Sequence, residues 1–280
     1  MALLDSPDGG PTPTAEVDRP STGPPMELDV VILTWNDGAL LDRAIASVST
    51  GDELMTNVIV VDNGSDPPAR VPPGVVLVRN DANVGVAAGR NQGIEAGSAP
   101  LVCLLDSDAE LTPGALSRLV DELVRTDAAL VVPVFAGQDP AASAGRAPGL
   151  GRKVLRVAGL TATYRSMPRG SAGSWPVEFG IGACQVFRRS WWELVGGIDE
   201  SFFYGPEDVD FCLRLGAAGG TVRQVPGAPV IHPARRRHRR PLDAAGLAHA
   251  QAVARYLHRH RRHLYWRSPV ATSITSRLRR

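Results

Sequence analysis

Apolar runs recur along the chain and alternate with segments of helical period. The runs read as strands over 28–34, 57–62, 75–79, 100–105 and 128–133, with helices predicted between them over 38–48, 85–96 and 112–124. Thr112 is the expected N-cap of the third helix and Pro113 lies in its first turn. The strands are unbroken apolar stretches such as LVCLL at 101–105, the pattern of a sheet covered on both faces. An α/β fold follows, Rossmann-like and three-layered, on a mostly parallel sheet.

Residues 134–176 are rich in Ala, Gly, Arg and Ser with weak periodicity, too long for an ordinary connection, and read as a mobile or substrate-facing insertion. A second half covers 177–233, with a strand at 177–187, a helix from Arg189, a turn at Gly196-Gly197, a helix at 206–217 and strands near 221–225 and 229–232. A basic helix at about 241–264 lies within the tail, 234–280. Residues 1–25, dominated by Pro, Gly, Ser, Thr and Asp, read as a disordered extension, and Met26 at the first strand as a possible natural start.

With 44% hydrophobic and 21% charged residues among 280, the chain can bury a core, which excludes whole-chain disorder. The apolar runs fall short of the roughly 18–20 residues of a membrane span, and the first 25 residues lack a signal-peptide pattern, so a cytoplasmic location is expected. Cys103, Cys184 and Cys212 are too few and too scattered for a disulfide or zinc framework.

The net charge of +1 conceals a segregation. From His232 onward there are thirteen arginines and one acid, Asp243, so the tail carries about +12 and the body about −11. An anionic partner is implied for the tail: peripheral contact with the inner face of an anionic membrane, or phosphate on a substrate, ranks ahead of a solvated basic helix, and both ahead of nucleic acid. The segment at 248–266 sets Ala252, Tyr256, His260 and Leu264 on one helical face, as an amphipathic surface helix would.

In an open parallel sheet ligands lie at the carboxyl ends of the strands. Here four of those ends are polar: Thr34-Trp35-Asn36, Asp62-Asn63-Gly64-Ser65, Arg79-Asn80 and Asp106-Ser107-Asp108. Neither GxGxxG after the first strand nor GxxxxGK[ST] occurs, which disfavours dehydrogenases and P-loop enzymes. Asp106-x-Asp108 instead offers two hard oxygen donors, suited to Mg²⁺ or Mn²⁺ shared with a diphosphate.

The segments ILTWN (32–36), VVDNGS (60–65), NVGVAAGRN (83–91), LLDSDAE (104–110), GACQVFRRSWWELVGGIDESFF (182–203) and YGPEDVDFCLRL (204–215) resemble family 2 glycosyltransferases of the glycosyltransferase-A fold. The likeness is greatest to the rhamnosyltransferase-like bacterial branch and covers about 28–233.

The resemblance implies a nucleotide-sugar-binding half over 26–133 and an acceptor and catalytic half over 177–233. It implies that Thr34 and Asp62 hold the base, with Asn63, Asn83 and Arg90 nearby, that Asp106 approaches the ribose, and that Asp108 and His232 bind the metal. Asp62 can accept from an imide N–H, and Arg90 can pair with phosphate or base. Asn83 can equally cap the helix at 85–96, and Asn63-Gly64 can be a turn. Glu207-Asp208 matches the family's acidic pair, with Asp208 as general base on an acceptor hydroxyl and Glu207 orienting the acceptor or sharing the work. Asp210, two positions on, reads as structural.

Gly180 and Gly182 would allow close backbone approach of an acceptor, and Trp191 and Trp192 either stack on it or belong to the core. The run Arg235-Arg236-Arg237-His238-Arg239-Arg240 departs from the small, Ser-containing segment of relatives.

A metal-dependent inverting sugar transferase is therefore expected. Its donor would be dTDP-L-rhamnose first, then a UDP- or GDP-sugar, and its acceptor a hydroxyl of a glycan, glycolipid or natural product. Two alternatives stand: a noncatalytic partner subunit that binds nucleotide or glycan, against which the intact acids and His232 speak, and a nucleotidyltransferase, whose glycine-rich loop is replaced here by TWNDGALL.

Overall fold

The computed structural model describes residues 26–48, 54–147, 173–233 and 244–261. The elements in chain order are β1 (Glu27–Thr34), α1 (Gly38–Val48), β2 (Met55–Asp62), β3 (Val76–Arg79), α2 (Val86–Glu95), β4 (Leu101–Asp106), β5 (Glu110–Leu111), α3 (Ala115–Thr126) and β6 (Leu130–Phe135). The second half adds β7 (Ala144–Gly145), β8 (Trp175–Val177), β9 (Phe179–Gly180), β10 (Cys184–Arg188), α4 (Arg189–Leu194), α5 (Glu207–Ala217), β11 (Val222–Ile231) and α6 (Ala244–Arg259).

The main sheet runs β3-β2-β1-β4-β10-β6-β11-β5, with β8 on β11. Strands β3, β2, β1 and β4 are parallel neighbours, as are β6 and β11, while β10 runs antiparallel between β4 and β6. Helices cover both faces because the strands are apolar on both: five of the six residues of β4 are buried. On α1 the stripe Leu40, Leu41, Ala44, Ile45 and Val48 faces the sheet at helical spacing, and Leu116, Leu119, Val120 and Leu123 do the same on α3. Each leucine, isoleucine or valine of these stripes, once fully buried, contributes about 1.5–3 kcal/mol.

Register decides where the polar residues emerge. Thr34 pairs with Asp62, Asp62 with Arg79, and Leu33 with Asp106, so four strand ends and their loops share one edge. Because β10 is antiparallel, its N-terminal residue Cys184 lies opposite Leu105, and the backbone just before it meets the same edge, with Asp106 N donating to Ala183 O at 2.9 Å.

Several boundaries differ from the sequence expectation. The third helix starts at Ala115 after Gly114, whose φ is +74°, and Thr112 is drawn off to β11, its hydroxyl donating to Pro229 O at 2.7 Å. The expected strand over 177–187 is three pieces, broken where Ile181 N leaves the ladder for Ser143 O. The two strands expected near 221–232 are one, β11, whose register shifts between Val225 and Val230 around Pro226, Gly227 and Pro229, two of which have no N–H to give the ladder.

The described ends of the 134–176 segment are built into the fold. Ala144 and Ala147 are buried and β7 pairs with β9. Residues 148–172, the 1–25 extension and the arginine run at 235–240 lie outside the described residues.

The apolar face read on the basic helix is covered by the protein itself. Ala252 and the fully buried Tyr256 pack against Phe202, Val209 and Leu213. That corrects the expectation that this face meets a membrane; Leu264 lies outside the described residues. Among the described residues no helix is long and apolar enough to cross a membrane.

Candidate active site

The acidic loop after β4 meets the end of β11 through a short strand. β5 pairs Glu110 with Ile231 and Leu111 with Val230, and this register delivers His232 beside Asp108. His232 Nε2 lies 3.3 Å from Asp108 Oδ1, and the ring sits against Phe135 at 4.8 Å between centroids. Asp106, Asp108 and His232 offer ligand atoms that all lie within 4.8 Å of one another.

Two carboxylates and an imidazole are a donor set that fits Mg²⁺ or Mn²⁺. His232 Nδ1 is buried with no hydrogen-bond partner among the described residues, an orphaned polar atom at a site of opposite charge. Burial alone would lower the His232 pKa, but the hydrogen bond to Asp108 and the charges of Asp106 and Asp108 raise it.

The second acidic group stands on α5. Its first turn carries Glu207 and Asp208, where unpaired backbone N–H groups favour carboxylates. Asp208 is half-buried; its Oδ1 accepts from Val209 N at 2.7 Å and its Oδ2 from Gly182 N at 3.1 Å. Glu207 is buried, accepts from Gly205 N and pairs with Arg90 Nη1 at 3.3 Å. Burial and the charge of Asp208 push the Glu207 carboxyl up to about 7 against the pull of Arg90, and burial raises Asp208 as well.

Arg90 joins the two groups. It is buried, and its Nη2 reaches Asp106 Oδ1 at 2.8 Å and Gly182 O at 2.9 Å. Burial would lower its pKa, yet the carboxylates of Asp106 and Glu207 outweigh that and raise it. Its charge is thus shared among the protein's own acids, at the edge where pairing with phosphate or base is expected.

The residues expected to hold the base gather at the neighbouring strand ends, with their polar atoms largely turned on one another. Thr34 is buried, and its carbonyl accepts from Asn63 N at 2.9 Å. Asp62 is fully buried; it accepts from Ser65 N and Ala69 N, both at 2.9 Å, and from Arg79. Burial alone would raise this carboxyl, but the bonds from Ser65 and Ala69 and the Arg79 guanidinium hold it below the usual carboxylate range. Asp62 thus braces the 63–69 loop at the edge where the base contact is expected.

Asn63 bonds Asn83 Oδ1 and Gly85 O with its amide and accepts from Asn80 and Val84 N. Asn83 accepts from Gly85 N at 2.9 Å, shaping the entry to α2 without capping it; the N-cap is Gly85, at φ +96°. Around these loops stand exposed apolar side chains: Trp35, Val84, Phe203 and Tyr204.

Gly182 lies in the site, where a Cβ would sit 2.4 Å from Arg90 Nη1. Gly180 instead abuts Val132 in the core. Trp191 and Trp192 do not reach the site: β10 runs antiparallel, so α4 starts beside Leu101, at the opposite edge of the sheet. Trp192 donates to Asn91 Oδ1 at 3.0 Å and Trp191 packs against the core, which corrects their expected acceptor contacts.

Sequence reasoning placed Arg79 at a strand end and His260 on the tail helix without their partners, Asp62 and Asp210, and missed Arg259; Arg79 meets Asp62 through its register, and Arg259 and His260 bond Asp210 at 3.0 and 2.8 Å. Asp210 is fully buried and also pairs with Arg214 at 2.7 Å, consistent with the structural role read for it.

Comparison with known proteins matches this arrangement. The model of glycosyl transferase family 2 fits residues 29–195. An N-acetylglucosaminyl-diphospho-decaprenol L-rhamnosyltransferase of Mycobacterium tuberculosis is 32% identical over 90% of each chain. Among solved structures, a mannosyltransferase of Pyrobaculum calidifontis in complex with GDP-Man and Mn²⁺ superposes with a TM-score of 0.60 over 90% of this chain and 70% of that one, at 18% identity. GalNAc-T7 with UDP, GalNAc and Mn²⁺ gives 0.58 over 74% of this chain and 44% of that one, at 16% identity. The sheet order, the paired acidic groups and these matches together show that the chain belongs to glycosyl transferase family 2 and is a glycosyltransferase of the rhamnosyltransferase-like kind with a glycosyltransferase-A fold.

Proposed function

We propose that the protein is a metal-dependent inverting glycosyltransferase that moves L-rhamnose from dTDP-L-rhamnose to a hydroxyl of a lipid-diphosphate-linked sugar. The observation that carries this reading is the pairing of two acidic groups with different surroundings at one sheet edge. Asp106, Asp108 and His232 cluster as a cation site, and Asp208 lies beside Gly182 on the acceptor-side helix. The sugar and the acceptor class are those named for the M. tuberculosis relative, which aligns over 90% of this chain, and the dTDP carrier is the donor implied by the family resemblance.

Asp106, Asp108 and His232 would hold Mg²⁺ or Mn²⁺, which when bound supplies Lewis-acid stabilisation of charge on the departing diphosphate. The loops 34–37, 62–69 and 80–85, braced by Asp62, Asn63 and Asn83, shape the nucleotide side. Asp208 takes the proton of the acceptor hydroxyl as the oxygen attacks the anomeric carbon from the face opposite the leaving group. Two backbone N–H bonds fix its carboxylate, and its raised pKa makes it a stronger base than a solvated aspartate. Glu207, turned inward to Arg90, supports that turn of α5.

The reading is tested by supplying the protein with dTDP-L-rhamnose, a synthetic N-acetylglucosaminyl-diphospho-polyprenol and Mn²⁺ or Mg²⁺, against UDP- and GDP-sugars as alternative donors. Mass-spectrometric gain of one deoxyhexose, with inverted anomeric configuration by NMR, is the expected result. Transfer only from another nucleotide sugar would overturn the donor, and a retained configuration would overturn the mechanism.

A further inference from the structure

Arg90 touches both halves of the site and belongs to neither. It stands on α2, with Nη2 on Asp106 Oδ1 at 2.8 Å and on Gly182 O at 2.9 Å, and Nη1 on Glu207 Oε1 at 3.3 Å. The N–H of the same Gly182 holds Asp208 Oδ2 at 3.1 Å. One guanidinium thus runs from a carboxylate of the cation site to the helix that carries the base, through groups that are all at least partly buried.

Two properties make this more than packing. The planar fork is what allows one cation to engage two carboxylates and a carbonyl at fixed angles, which a lysine ammonium cannot reproduce. Asp106 is also shared: its carboxylate belongs to the cation cluster and to Arg90 at once, so the two compete for its charge. How strongly Arg90 draws on Asp106 depends in turn on Glu207, its other ion-pair partner.

We propose that Arg90 is a positioning residue that couples the first turn of α5 to the cation site, so that the state of Glu207 sets the affinity of Asp106, Asp108 and His232 for a divalent ion. Coupling of this kind is reciprocal, so ion binding loosens Arg90 from Asp106 and tightens it on Glu207, steadying the turn that presents Asp208. The inference rests on the cation site of the proposed function.

The test uses Mn²⁺ alone, titrated calorimetrically into the full chain as wild type, Glu207→Gln, Arg90→Lys and the double variant. Glu207→Gln leaves Arg90 with Asp106 as its remaining ion-pair partner and is expected to weaken Mn²⁺ binding about fivefold or more. Arg90→Lys keeps the charge but loses the fork, and in its background Glu207→Gln is expected to add nothing.

A Glu207→Gln effect of equal size in both backgrounds is through-space charge and overturns the coupling, as does no effect in either. Should Arg90→Lys fail to fold, Gly182→Ala replaces it, because a Cβ there would sit 2.4 Å from Arg90 Nη1 and displace the fork without changing any charge. Asp108→Ala is measured alongside. If wild type binds no Mn²⁺, or Asp108→Ala binds it as well as wild type, the cation site itself is refuted and the coupling falls with it. If Asp108→Ala loses the ion while Glu207→Gln binds it normally, the coupling alone is refuted.

Discussion

His232 meets Asp108 at 3.3 Å only because β5, two residues long, pairs with the end of β11. The contact joins the last strand of the second half to the acidic loop of the first. Asp108→Ala and His232→Ala should therefore weaken Mn²⁺ binding, and because both side chains are mostly buried and bonded to each other each should also cost about 1 kcal/mol of stability. Chelation of the metal should abolish transfer by wild type. Calorimetry and differential scanning fluorimetry read the two effects separately, and unchanged Mn²⁺ affinity in both variants would remove His232 and Asp108 from the site.

Asp208 is held by two backbone N–H groups, one on each carboxylate oxygen, and an asparagine there keeps the size of the side chain while accepting from one of the two. Asp208→Asn should lower kcat by about 10²- to 10⁴-fold, the usual contribution of a general base, with donor KM little altered. Steady-state kinetics with donor and acceptor varied in turn checks this. A loss confined to KM would make Asp208 a binding group.

Much of this was legible in the chain. Continuous apolar runs predict the parallel sheet, and polar residues at Thr34, Asp62 and Asp106 mark its ligand edge, because both follow from local pattern. What was not legible depends on register and direction. Nothing local in RRSWWEL says that the preceding strand runs antiparallel, and that direction alone carries Trp191 and Trp192 to the far edge. The protein partners of Asp62 and Arg90, namely Arg79 and Glu207, were not legible because they meet them only in the fold. The tail's apolar face was visible at its 3.6-residue spacing, but its partners Phe202, Val209 and Leu213 sit in a segment with chemistry of its own.

Glu207 carries a pH signature. Its carboxyl is raised from 4.5 to about 7 by burial and by Asp208, so the folded state holds a proton that the unfolded chain has released. Stability should therefore fall as pH rises from about 4.5 to 7 and then level off, with up to about 3 kcal/mol at stake for this group. Glu207→Gln removes that dependence, so the melting curves of wild type and variant should diverge between pH 5 and about 8. Parallel curves would show that the carboxyl ionises normally. The rate should also rise through about pH 7, reporting the Glu207-Asp208 pair as a unit.

The C-terminal helix α6 is fastened to the base-bearing helix at one buried point. Asp210 accepts from Arg214 at 2.7 Å, Arg259 at 3.0 Å and His260 at 2.8 Å, and these partners, Arg214 first after His260, hold its carboxyl below the usual range despite burial. Beside it the Tyr256 ring fills the gap over Phe202, Val209 and Leu213. Phe202 in turn lies next to Phe203, whose carbonyl takes Val86 N at 2.7 Å and so tethers the 199–206 loop to the start of α2.

Removing Asp210 would leave Arg214 without its buried carboxylate and Arg259 with Asp199 alone, and such a change should cost about 3 kcal/mol, the low end for breaking a buried pair because Arg259 keeps a partner. Tyr256→Ala should cost a similar amount, about 3–5 kcal/mol, by opening a cavity in a fully buried place. Their distinct signature is pH. Wild type, with its Asp210 carboxyl depressed, loses the Asp210 contribution as pH falls through that low value, whereas Tyr256→Ala keeps the same acid limb and Asp210→Asn loses it. Urea unfolding from pH 3 to 8 reads all three, and an acid limb that persists in Asp210→Asn would assign the low-pH loss to other carboxylates, Asp62 and Asp199 first among them.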